Sequence, residues 1–208
     1  MTTRPPSQAI GRWLSPLAVA VCLIPLGVIG WDAWSGGLSA NPIEDISHRT
    51  GGWTFKILLA SLAVTPMRRI TGWAWLFPLR RTLGLIALFW ATLHGLAYVG
   101  LEHFFAWADM AEDILERRYV TVGFLGLVML TILGITSTKK WRRRLGGKRW
   151  QRLHRLAYAA ALCGGLHFLW LVKKDITEPL LHLAVLAVLL VVRLPVVAHV
   201  PAKKATPR

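Results

Sequence analysis

Two histidines stand deep inside apolar runs. His94 lies 13 residues past Arg81, the last charge before its run, and His167 lies 12 residues past Arg155. If both runs are helices pointing the same way, a rise of ~1.5 Å per residue puts both imidazoles about 18–20 Å from the basic edge. They share one depth, in the far half of a hydrocarbon layer ~30 Å thick. Neutral imidazole is a good iron ligand, and two at one depth on parallel helices suit a six-coordinate b-type haem held between them. Gly95, Gly164 and Gly165 lie beside them, and glycine lets a flat macrocycle approach the backbone. A single intramembrane histidine is more often an interhelical hydrogen bonder. A pair can also serve a transporter as a proton or metal relay, and intramembrane ionisable groups are functional candidates in either case.

His154 stands apart, in the basic stretch Lys148-Arg149-Trp150-Gln151-Arg152-Leu153-His154-Arg155. It precedes His167 by 13 residues, or ~20 Å of helix, which suits a second haem nearer the basic edge. Against this, that spacing turns the two side chains about 140° apart, and the third apolar run has Arg80 and Arg81 where a partner histidine is expected. His154 is therefore a candidate ligand, with cofactor seating or interfacial packing as the alternatives. His103 and His182 read as interfacial. His48 and His199 receive no role. Trp90, Phe89 and Phe168 are candidates for a haem pocket wall, although most aromatics here read as lipid-facing or as an interfacial belt.

The elements that must carry these histidines follow from composition. The chain has 208 residues, 54% of them hydrophobic, with mean hydropathy +0.47. Lys and Arg number 25 against 10 acids, a formal charge of +15. In a soluble protein that charge suggests nucleic acid. Joined to this apolar content and 11 Trp, it indicates a membrane protein with basic loops and no nucleic-acid partner. Cys22 and Cys163 both lie in apolar runs and read as buried thiols rather than a disulfide. No CxxCH, zinc-type CxxC, GxGxxG or P-loop occurs.

A spanning helix needs roughly 20 mainly apolar residues. Six stretches qualify or come close, at 13–31, 52–65, 82–101, 120–136, 156–172 and 179–192, the second and last being short. Lys56 and Arg193 stand where their long stems can snorkel. Arg4 and Arg12 before the first stretch mimic a signal peptide, but Ala18-Val19-Ala20 falls too early for cleavage. Arg68, Arg69, Arg80 and Arg81 fill one loop. Nine of the 25 basic residues fill the 17-residue segment 139–155, with no acid in either loop. Acids gather in the other loops, notably Glu102, Asp109, Glu112, Asp113 and Glu116. The positive-inside rule then predicts an all-α integral membrane protein, a six-transmembrane-helix bundle with both termini cytoplasmic. Residues 1–12 form a cytoplasmic N-terminal segment, 13–193 the six-helix domain, and 194–208 a disordered cytoplasmic tail. The basic loops read as topology signals or as a dock for an anionic cofactor or soluble partner. The acidic loops read as solvated, with partner docking as the alternative.

Several motifs carry a resemblance. Asn41-Pro42-Ile43-Glu44 with Ser47-His48-Arg49-Thr50-Gly51 is one. Leu62-Ala63-Val64-Thr65-Pro66-Met67-Arg68-Arg69 is another, as is Arg80-Arg81-Thr82-Leu83-Gly84-Leu85 leading to Leu93-His94-Gly95. The most specific runs from Gly147-Lys148-Arg149-Trp150-Gln151-Arg152-Leu153-His154-Arg155-Leu156-Ala157-Tyr158 to Leu166-His167-Phe168-Leu169-Trp170. Over roughly residues 10–195 the chain resembles the MsrQ (YedZ) family. These are haem-binding membrane subunits of the MsrPQ methionine sulfoxide reductase system, in the ferric reductase-like transmembrane group. The resemblance implies a multi-pass cytochrome b of the bacterial inner membrane, an electron-transfer subunit of an oxidoreductase system. It would pass electrons to a periplasmic MsrP-like molybdopterin subunit, which performs the substrate chemistry and so repairs oxidised periplasmic proteins. It implies haem b and FMN as cofactors, and the quinone pool or a cytosolic flavin reductase as donor. His94, His154 and His167 match the family's haem-associated histidines, whereas no FMN site carries over by residue. Unlike the larger oxidases of the group, the chain carries no fused NAD- and flavin-binding domain and no second histidine on its third span. The rival readings are a ferric reductase acting directly on metal ions, a His-based proton or metal transporter, and a structural membrane anchor.

Overall fold

A computed structural model describes residues 6–172 and 174–193. The expected tail at 194–208, with His199, and the first five residues lie outside the described residues. Among those described there are helices and turns and no strand. Nine α-helices follow in order: α1 Pro6–Ser35, α2 Pro42–Thr71, α3 Phe77–Ala97, α4 Trp107–Glu116, α5 Arg118–Ile135, α6 Lys139–Leu145, α7 Gly147–Leu153, α8 Leu156–Leu171 and α9 Thr177–Val191.

Among the described residues, three segments are long and apolar enough to cross a membrane by length and composition: Trp13–Ser35, Ala74–Glu102 and Arg118–Ile135. The apolar helices α8 and α9 have 16 and 15 residues. The second apolar stretch, expected at 52–65, is the middle of a 30-residue helix. Its ends are set by local chemistry rather than hydropathy. Asn41 accepts the Glu44 amide as N-cap and Pro42 occupies the first turn. Gly72, at φ 73°, closes the other end and returns its amide to the Arg68 carbonyl. Similarly, α3 starts before the expected boundary, on a short 3-10 turn at Ala74–Leu76. It ends in a wider π-type turn at Tyr98–Glu102. Phe104 and Phe105, at φ 47° and 63°, then reverse the chain into the short α4.

Packing is pairwise: α2 lies against α3, and α5 against α8. Trp90, Leu62, Leu186 and Pro179 are the largest fully buried side chains, and the Trp90 indole donates to the Cys22 carbonyl at 3.1 Å. Cys22 and Cys163 are free thiols, as expected, though half-buried rather than buried. Several charged side chains find partners in the fold. Lys56 meets Glu178 at 3.3 Å. Arg49 bridges Asp32 on α1 and Asp45 one turn back on its own helix. Arg193 donates to Tyr158 Oη at 2.5 Å and to the Leu62 carbonyl, which ties the end of α9 to α8 and α2.

A paired-histidine cavity

The α2–α3 pair delivers His94 and the α5–α8 pair delivers His167. Their ring centroids stand 6.0 Å apart, with the planes inclined at 72°. Each imidazole is anchored through Nδ1 to a backbone carbonyl of the neighbouring helix. His94 Nδ1 lies 3.0 Å from the Ser47 oxygen on α2, and His167 Nδ1 lies 2.7 Å from the Tyr119 oxygen on α5. A carbonyl only accepts, so Nδ1 carries the hydrogen on both rings. The Nε2 lone pairs remain, and no protein hydrogen bond to either Nε2 is made among the described residues. A carbonyl on Nδ1–H is the usual outer partner of a metal-ligating histidine, fixing its tautomer and raising its basicity. The Thr50 hydroxyl, 3.4 Å from His94 Nδ1, already donates to the Ile46 carbonyl at 2.7 Å.

Both rings line a cavity of about 450 Å³, within the ~300–1,000 Å³ common for cofactor pockets. Phe55, Leu58, Leu127, Leu130 and Phe168 form its apolar wall, and Asn41, His48, Glu102 and Arg117 stand at its polar end. Two glycines make the histidine positions possible. A Cβ on Gly51 would come 3.2 Å from His94 Cε1, and one on Gly123 would come 2.6 Å from His167 Nδ1. Neither was singled out from the sequence. Glycine beside a histidine in the chain is visible there, but glycine across a helix interface is not. Of the glycines that were singled out, Gly95 and Gly164 line the cavity, against Leu127 and Phe55, while Gly165 packs against Leu183 and Phe55. Phe168 does line the cavity. Trp90 is core, and Phe89 is partly exposed in a separate groove between α1 and α3.

His154 is not brought to this cavity. It stacks on Trp150 at 3.9 Å, with Nε2 3.3 Å from the Thr136 hydroxyl. Burial holds its pKa below the ordinary histidine value, with the Thr136 contact opposing and the Arg80 charge adding to the shift. His103 packs against Tyr98, ring centroids 4.5 Å apart and planes tilted by 57°, and approaches Asp113 at 3.5 Å. His182 bonds back to the Glu178 carbonyl at 2.8 Å. His48, given no role from the sequence, stands at the cavity's polar end.

No cluster of three or more His, Cys, Asp or Glu suited to a metal ion occurs among the described residues. A bare ion needs such a cluster, since tetrahedral sites take three or four protein ligands. A metal that brings its own equatorial ring needs only two axial imidazoles. The donor set at His94 and His167, with both Nε2 free and an apolar wall around them, therefore fits a haem and does not fit an ion held by the protein alone.

Comparison with known proteins agrees in kind. Residues 18–165 match the family described as ferric reductase like transmembrane component. The chain is 49% identical over 184 residues to a protein of Rhodospirillum rubrum, covering 87% of this chain and 88% of that one. It is 47% identical over 180 residues to one of Xanthomonas axonopodis pv. citri, covering 84% and 82%. It is 44% identical over 195 residues to one of Herminiimonas arsenicoxydans, covering 93% and 89%. Each of the three is named protein-methionine-sulfoxide reductase heme-binding subunit MsrQ.

Proposed function

The chain belongs to the MsrQ family of haem-binding membrane subunits, within the ferric reductase-like transmembrane components, and from that premise we propose that it is the electron-transfer subunit of a bacterial methionine sulfoxide reductase system. It is a membrane protein. In the proposed arrangement residues 13–193 form one six-span domain in the inner membrane. Segments 1–12 and 194–208 and the basic loops then lie on the cytoplasmic side, in keeping with the positive-inside rule. Electrons enter from a quinone or a cytosolic flavin reductase and leave to a periplasmic MsrP-like subunit, where sulfoxide is reduced.

The observation that carries the reading is the pair of imidazoles, each held by a carbonyl at Nδ1, on facing helix pairs around one cavity. Haem b, which His94 and His167 would hold, would supply a reversible one-electron couple when bound. The chain's own residues do the rest. Ser47 and Tyr119 hold the two ring tautomers. Gly51 and Gly123 clear the space the rings occupy. Phe55, Leu58, Leu127, Leu130 and Phe168 exclude water and keep the dielectric low. The cavity's polar end faces the loops expected on the periplasmic side, where an acceptor protein must dock.

His154 is the proposed ligand of a second haem. Its described neighbours are Trp150 and Thr136 rather than a second imidazole, so the site at His94 and His167 is the primary one. FMN belongs to the proposal through the family alone, and the loop at 139–155 is its physical candidate, because phosphate attracts Lys and Arg.

The test is a reduced-minus-oxidised visible spectrum with haem-to-protein ratio on the purified full chain and on His94→Ala, His154→Ala and His167→Ala. A b-type spectrum that collapses in the His94 and His167 variants supports the reading, and the His154 variant reports the second haem. A colourless wild type after haem supplementation refutes it.

A further inference from the structure

The acids after α3 read as a solvated loop in the sequence, yet two of them are engaged by the fold: Asp113 is buried, while Glu102 stays exposed at the cavity mouth. Glu102 closes the π-type turn, and its Oε1 accepts the Ser47 hydroxyl at 2.6 Å. Ser47 is the residue whose carbonyl holds His94 Nδ1, so one carboxylate fixes the residue that orients one imidazole. Asp113, on α4, is only 8% exposed. It accepts Tyr98 Oη at 3.0 Å and Arg117 Nε at 2.6 Å, with His103 Nε2 at 3.5 Å. Arg117 is the N-cap residue of α5 and stands two positions before Tyr119, whose carbonyl holds His167 Nδ1. The second carboxylate thus fixes the helix end that orients the second imidazole. Both acids line the cavity that holds the two rings.

We propose that Glu102 and Asp113 are paired positioning residues of the two-histidine site. Each locks the backbone carbonyl that orients one ring, and removing either negative charge raises the site's reduction potential. The inference rests on the reading of His94 and His167 as haem ligands. The sign follows from electrostatics: adding an electron beside a fixed negative charge is unfavourable, so removing the charge favours the reduced form. A unit charge roughly 10 Å from a redox centre, at an effective dielectric of about 20, shifts such an equilibrium about tenfold.

Potentiometric titration of the haem-loaded full chain in detergent, with haem content and the low-spin electron paramagnetic resonance signal measured beside it, tests this. Glu102→Gln keeps an acceptor for Ser47 and removes only the charge. It is expected to retain haem and to raise the potential by about the tenfold equivalent, ~59 mV for one electron. Asp113→Asn is expected to move it the same way. Ser47→Ala keeps both charges and cuts one link, so it is expected to change the low-spin signal with a smaller potential shift. Unchanged potentials in both charge-removing variants at full haem content overturn the proposal. If Glu102→Gln loses haem, Glu102→Asp decides: recovery of the wild-type spectrum and potential supports it, and no recovery overturns it. Haem absent from wild type, or retained in His94→Ala, is a different failure, that of the ligand assignment itself.

Discussion

Gly123→Ala isolates the geometry of the cavity in one methyl group. The added Cβ would lie 2.6 Å from His167 Nδ1, 3.0 Å from Cε1 and 3.1 Å from Cγ. Ordinary contact between heavy atoms is ~3.5–4.0 Å, so the ring or the helix must move by about 1 Å. The ring has no slack, because its Nδ1 is held 2.7 Å from the Tyr119 carbonyl. Overpacking of this kind costs ~1–3 kcal/mol, and a broken hydrogen bond that strands a buried carbonyl costs a further ~1–3 kcal/mol. The sum, about 2–6 kcal/mol, is a loss of haem affinity of ~30-fold or more at ~1.4 kcal/mol per decade. Gly51→Ala, whose Cβ would meet His94 at 3.2 Å, is expected to lose less. Gly30→Ala in α1, outside the cavity lining and with nothing within 4 Å, is expected to keep full affinity and to gain up to ~1 kcal/mol of helix propensity. The assay is haem titration of the apo-protein in detergent, followed in the Soret band, with thermal unfolding as a control for global damage. Gly123→Ala binding haem as wild type does, with an unchanged spectrum, would refute the placement of His167.

Three further outcomes follow from the fold. Arg193→Met is expected to lower the unfolding temperature in detergent, because it strands the Leu62 carbonyl and the Tyr158 hydroxyl at ~1–3 kcal/mol per stranded group; an unchanged transition would count against that tie. Asp45 has a pKa below the ordinary carboxylate value, lowered first by the Ser39 amide, opposed next by burial, and lowered further by the Arg49 hydrogen bond and charge. Its contribution is therefore present above the unfolded carboxylate pKa and lost as pH falls through its depressed folded value. Asp45→Asn should accordingly flatten the acid limb of a stability curve run from neutral pH downward, and an unaltered limb would exclude this pairing. With a reductant on one face of proteoliposomes, electrons should reach an MsrP-like protein on the other and not ferric chelates alone; equal rates to both would favour direct metal reduction.

How much of this was legible beforehand differs from residue to residue. That His94 and His167 stand side by side was legible, because the helical rise is constant and the flanking Arg81 and Arg155 mark a common origin. Apolar runs and basic loops were legible because hydrocarbon excludes charge, and composition records that directly. The true length of α2 was not legible from hydropathy, since Asn41, Pro42 and Gly72 set its ends and its polar first turn and basic last turn lie outside the apolar run. The partners of the two rings were hidden for another reason. Ser47 and Tyr119 lie 47 and 48 positions from the histidines they hold, and backbone carbonyls leave no mark in a sequence. Gly51 and Gly123 matter only because two helices are rotated to face them, and an apolar helix in lipid carries little periodic signal of its rotation. Glu102 and Asp113 look like the exposed Glu112 and Glu116 in composition. Only the π-type turn and the short α4 bring Glu102 to the Ser47 hydroxyl at the cavity mouth and bury Asp113 against the Arg117 guanidinium.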